Sequence, residues 1–154
     1  MCIILVERNK YETFKVSLRS NCSIHYALFN IVCYIPSLEQ FEQIVLYFET
    51  SEEMPNNGQV YRFIAMLAER EILQRVKALL VGIPKTQFLG RLPPEGREHY
   101  RLLQKEAIKQ ALLDYNCQVP VVFDLNFGHT DPQLILPNGS QITLDSITHS
   151  ITFF

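Results

Sequence analysis

The chain has 154 residues, 47% apolar and 19% charged, which is enough for one domain with its own core and ordinary for a globular protein. A formal net charge of −2 without a run of like charge gives no electrostatic footprint for nucleic acid or an anionic membrane, and no segment approaches the ~20 apolar residues of a membrane span. The four cysteines, Cys2, Cys22, Cys33 and Cys117, form no Cys-x-x-Cys pair and no zinc-ligand spacing; with no secretion signal ahead of them, they read as reduced thiols of a cytoplasmic protein.

Met1 to Val6 is apolar, is followed at once by Glu7, Arg8 and Lys10, and reads as a strand. Tyr11 to Leu18 alternates weakly, in the manner of a second strand, and Ile24 to Tyr34 is apolar without a clear period until Pro36 closes it. Ser37 to Glu42 is a short helical turn or loop. Ile44 to Phe48 is a β-branched and aromatic run between polar residues, the pattern of a buried strand, and it ends at Glu49. Thr50 to Gly58 is a loop.

Val60, Phe63, Ile64, Leu67 and Ala68 repeat at helical spacing, so Gln59 to Glu69 is an amphipathic helix, with Ile72, Leu73 and Val76 suggesting a further helical turn. Ala78 to Gly82 is the next strand, and Ile83 to Pro94 a loop rich in Pro and Gly. Glu95 to Tyr115 is the clearest helix, with Leu102, Leu103, Ala107, Ile108, Ala111 and Leu112 on one face. Val119 to Leu125 is an apolar strand that stops at Gly128 and delivers His129 into a turn. Gln133 to Leu136 and Gln141 to Leu144 flank Asn138-Gly139, the strongest short-range hairpin signal, and Ile147 to Phe154 alternates as a last antiparallel strand. The expected architecture is α/β: a mixed sheet with parallel βαβ units, a carboxy-terminal antiparallel meander, and helices on one side.

Two residues stand where chemistry is commonly placed. Glu49 closes a buried strand, at the edge where open α/β sheets hold their sites; its plainer reading is a solvated loop carboxylate. His129 follows Gly128, which allows an unusual backbone angle, and an imidazole titrates near neutrality and so suits a general base; its plainer reading is a turn histidine without a duty. A Glu–His pair can orient and deprotonate a serine. No Gly-x-Ser-x-Gly elbow is present, and Ser51, although near Glu49, sits in a polar loop. There is no Gly-rich phosphate loop and no His-Glu-x-x-His.

Val45-Leu46-Tyr47-Phe48-Glu49-Thr50-Ser51-Glu52-Glu53 resembles the segment around the catalytic glutamate of the LD-carboxypeptidase family, which includes the microcin C7 self-immunity serine peptidases. Leu80 to Lys85 resembles the strand and loop that follow, Val119 to Thr130 the segment with the catalytic histidine, and Leu136 to Gly139 the hairpin after it. The likeness runs from about Tyr34 to Leu144. Ser20-Asn21-Cys22-Ser23-Ile24 departs from the glycine-bearing interdomain crossing of the family, and Met1 to Ser20 resembles nothing recognisable.

The resemblance implies residues 1–33 as a divergent amino-terminal segment and 34–154 as the swivelling β/β/α carboxy-terminal domain. It implies Glu49 as triad acid and His129 as general base in hydrolysis of an L–D bond of a murein-type peptide, with no metal or organic cofactor. The nucleophilic serine has no counterpart, so the expectation is a catalytic half that is inactive alone. It would be completed by a serine-bearing amino-terminal domain or act within a homodimer. The alternatives are a non-catalytic peptide-binding or subunit-pairing module, or a truncated remnant.

Overall fold

The structure is a computed structural model that describes residues 2–7, 15–17, 37–50, 54–86, 94–137 and 140–154. The apolar stretch Ile24 to Tyr34, Ser51 and the Asn138-Gly139 pair lie outside the described residues. In chain order the elements are β1 (Cys2–Glu7), β2 (Lys15–Ser17), α1 (Leu38–Phe41), β3 (Ile44–Glu49), α2 (Asn57–Glu69), α3 (Ile72–Arg75), β4 (Ala78–Gly82), α4 (Pro94–Asp114), β5 (Val121–Leu125), β6 (Ile142–Asp145) and β7 (Ser150–Phe153).

Five strands form one sheet in the order β2-β1-β3-β4-β5, and β6 and β7 form a second, two-stranded sheet. β3, β4 and β5 run parallel, whereas β1 lies antiparallel to both β2 and β3. The parallel centre follows from its connections, because α2, α3 and α4 supply crossovers long enough to return the chain to the same edge. Glu49, Gly82 and Leu125 therefore end their strands on one side of the sheet.

Strand alternation divides the core. Ile44, Leu46, Phe48, Leu79 and Val81 pack with Phe63, Ile64, Leu73, Ile108 and Ala111 of the helices. Val45, Tyr47, Ala78 and Leu80 point the other way, toward Phe127 and the partly buried Ile142, Leu144, Ile151 and Phe153 of the hairpin. The expected α/β architecture, a mixed sheet with parallel βαβ units and helices on one side, is met. Each large side chain buried on the helical face contributes about 1.5–3 kcal/mol.

Local chemistry explains where α2 begins. It starts at Asn57, before the Gln59 that the apolar spacing suggests, because Asn56 caps it. The Asn56 Oδ1 accepts from the Gln59 amide at 2.9 Å, and the Gln59 Oε1 accepts from the Asn56 amide at 2.9 Å.

One expectation is corrected. Gln133 to Leu136 forms no strand, and β6 pairs with β7 instead. The segment is held between Pro132 and Pro137, neither of which can donate to a ladder, and Leu134 and Ile135 are exposed. The hairpin turn is Ser146 to His149, set by Asp145, whose Oδ1 accepts from the amides of Ile147 at 2.7 Å and Thr148 at 3.1 Å.

A last detail positions the site. Leu80 lies opposite Val122 and Gly82 opposite Leu125, so β5 spends one more residue than β4 over that interval. The extra residue accompanies a bulge at Asp124, whose φ is +64°. Phe123 consequently packs toward the helices, while Val122 and Leu125 both pack toward the hairpin.

Candidate active site

Glu49 is the last residue of β3 and shares the hairpin side of the sheet with Val45 and Tyr47. Its carboxyl-bearing side chain is only 8% exposed. His129 comes from the turn after β5, and its Nδ1 lies 3.3 Å from Glu49 Oε2. The two sequence candidates, eighty residues apart, are thus brought together. The imidazole is 36% exposed, so one end of the pair is buried and the other open to an incoming group.

Two glycines make this approach possible. At Gly128, φ is +88°, and a Cβ would lie 1.2 Å from Glu49 Oε2 and 2.2 Å from its Cδ. The carboxylate therefore occupies the space that any side chain at position 128 would fill. At Gly82, a Cβ would come within 3.0 Å of the Phe127 carbonyl oxygen, 3.1 Å of the Phe127 ring and 3.4 Å of Glu49 Cβ. Gly82 was not among the sequence candidates; the available signal is a glycine closing a buried strand, which marks close approach by another backbone.

Neighbouring side chains fix the turn. Phe127 is 2% exposed and meets Tyr47 edge to face with ring centroids 5.6 Å apart. Burial pushes the Tyr47 phenol well above its usual value, so it stays a protonated hydroxyl rather than serving as a base. The Gln133 amide donates to the Gly128 carbonyl, bracing the peptide just before the histidine. The Thr130 hydroxyl is buried beside the imidazole-bearing residue and has no partner among the described residues.

A carboxylate only accepts, so the Nδ1 that faces Glu49 is the nitrogen that carries the proton. In the neutral ring Nε2 is then the nitrogen with the free lone pair, and no hydrogen bond engages it among the described residues. This arrangement can draw a proton from a hydroxyl and stabilise the resulting imidazolium. Three serines are engaged elsewhere: Ser37 caps α1, Ser140 donates to the Pro137 carbonyl, and Ser150 pairs with Thr148. Among the described residues, no three His, Cys, Asp or Glu side chains converge in a way that could hold a metal ion.

The chain matches the LD-carboxypeptidase C-terminal domain over residues 20–144. No curated protein matches it. Its fold is similar to that of an MccF-like protein from Streptococcus pneumoniae, solved in complex with AMP, with a TM-score of 0.63 and 22% identity. That likeness covers 99% of this chain and 51% of the other, so the chain spans about half the length of that protein. By the extent of the domain match, the chain belongs to the LD-carboxypeptidase family, as its C-terminal domain.

Proposed function

We propose that this chain is the acid-and-base half of a serine-type carboxypeptidase that cleaves an L–D peptide bond in murein-type peptides. The observation that carries this reading is the 3.3 Å contact between His129 Nδ1 and Glu49 Oε2 at the carboxyl edge of the sheet. Glu49 orients the ring and favours its charged form. Nε2 removes the proton from a serine hydroxyl that a serine-bearing amino-terminal domain presents, then returns it to the departing amine of the D-residue. Without that serine and its oxyanion donors, the 154-residue chain releases no product.

The test is an assay of D-alanine release from a murein tetrapeptide by the purified chain, together with a titration of the same peptide into isotope-labelled protein. The expected result is no release, with perturbation of the resonances of Phe127 to Thr130. Turnover sensitive to a serine reagent, or peptide binding confined to the helical face, overturns the reading.

A second reading is a pairing module without turnover, and exposed apolar residues favour it: Ile135 and Ile147 are each 88% exposed and Phe154 75%. Sedimentation discriminates, because a monomer with no affinity for a hydrophobic dye counts against it. Among the described residues, no helix is long and apolar enough to cross a membrane.

A further inference from the structure

Asp124 is neither at a turn nor glycine, yet it holds φ at +64° inside β5. An aspartate tolerates that region better than most residues, but the conformation still has to be held by its surroundings. Two lysines one turn apart on α4 meet this stretch of β5. Lys105 Nζ lies 2.5 Å from Asp124 Oδ2, and Lys109 Nζ lies 5.7 Å from the centroid of the Phe123 ring. A small cavity of about 10 Å³, bordered by Gln104, Lys105, Phe123 and Asp124 among others, lies beside the bulge.

The bulge decides which way the rest of the segment faces. From Val122, which packs toward the hairpin, simple alternation would turn residues 124, 126 and 128 the same way and Phe127 toward the helices. One inserted residue reverses this parity. Leu125 and Phe127 then pack toward the hairpin, Phe127 docks on Tyr47, and Gly128 arrives under the Glu49 carboxylate with His129 next to it.

We infer that Asp124 and Lys105 are positioning residues of the candidate site: the bulge they hold sets the strand parity that carries His129 to Glu49. The inference rests on the Glu49–His129 reading above. An exposed ion pair of this kind adds little to stability, so its consequence is placement of the ring rather than strength of the fold.

The test reads the proton position on the His129 ring from its nitrogen chemical shifts, in the intact chain at about pH 9, where histidine rings are neutral. A His129→Gln variant assigns the signal. In the parent protein the Nδ1–H form predominates, and Glu49→Gln lowers the ratio of Nδ1–H to Nε2–H about tenfold, the worth of a charge-assisted hydrogen bond. Asp124→Val, whose branched side chain resists positive φ, is expected to lower the ratio about tenfold as well. Lys105→Met and Asp124→Asn each remove the ion pair, the second while keeping a residue that tolerates the backbone angle, and each lowers the ratio about threefold.

A folded Asp124→Val protein with the parent ratio overturns the inference and leaves the dyad reading intact. If Asp124→Val does not fold, Lys105→Met decides: an unchanged ratio overturns the inference, and a reduced one supports it. A ratio that Glu49→Gln does not move is the distinct signature of a failed dyad reading, and the inference falls with it.

Discussion

On the helical face of the sheet, Ile44, Leu46, Phe48, Leu79 and Val81 are at most 4% exposed and pack in one cluster with the helices. On the hairpin face, Ile142, Leu144, Ile151 and Phe153 are only partly buried. Glu49 and His129 belong to this second, looser face. There the closest contacts are made by space rather than by bulk, since two glycines clear the path by which a carboxylate meets an imidazole. The helical face stabilises the sheet, and the hairpin face uses that rigid sheet to aim two polar side chains. Two positive backbone angles fall close together on the way to the site, Asp124 at +64° within β5 and Gly128 at +88° in the turn after it.

Substitutions on the two faces should separate these duties. Ile64→Ala on the helical face, where the residue is 0% exposed, should cost about 2–5 kcal/mol in urea unfolding while the surviving folded fraction keeps its Glu49–His129 contact. Gly128→Ala should cost less, about 1–3 kcal/mol, yet it should abolish the Nδ1–H signature of His129, because the new methyl group takes the place of the Glu49 carboxylate. The reverse pattern, with the dyad surviving Gly128→Ala, would break the distinction between faces. Ile142→Ala in the partly buried hairpin should cost about 1 kcal/mol by the same unfolding measurement.

The smallest effect is a response to acid. Hydrogen bonds from the Thr148 and Ile147 amides hold the Asp145 carboxyl below its ordinary value. A carboxyl lowered in the folded state contributes stability at pH values above its unfolded pKa, and that contribution disappears as pH falls through the folded value. Amide hydrogen exchange at Ile147 and Thr148 should therefore quicken as pH drops below about 4, after correction for intrinsic rates. Asp145→Asn should flatten that response without altering the helical face.

Much of this arrangement is legible in the residues themselves. The runs Ile44 to Phe48 and Ala78 to Gly82 read as strands because uninterrupted apolar residues of this length fit a sheet covered on both faces, and α4 reads as a helix from its spacing. Glu49 and His129 are visible because each follows an apolar run at a strand end. Gly82 and the obligatory emptiness at Gly128 are not visible, because they depend on atoms from β3 and from the turn after β5 meeting in space. The bulge at Asp124 is hidden for another reason: an aspartate between Phe123 and Leu125 looks like an ordinary outward position in an alternating strand. In the carboxy-terminal part, Asn138-Gly139 overshadowed the quieter turn signal of Asp145, and two prolines kept Gln133 to Leu136 out of any ladder.

The pairing of β1 along β3 has its own consequence. Cys2 sits in register with Glu49 and Glu7 with Ile44, so β1 flanks the whole acid-bearing strand on one side while β4 pairs with Val45 to Phe48 on the other. Cys2 to Glu7 lies before residue 20, where the family likeness begins. Removing those first residues would bare one margin of β3 and leave its amides and carbonyls seeking new neighbours, the condition under which sheets recruit other chains and clump.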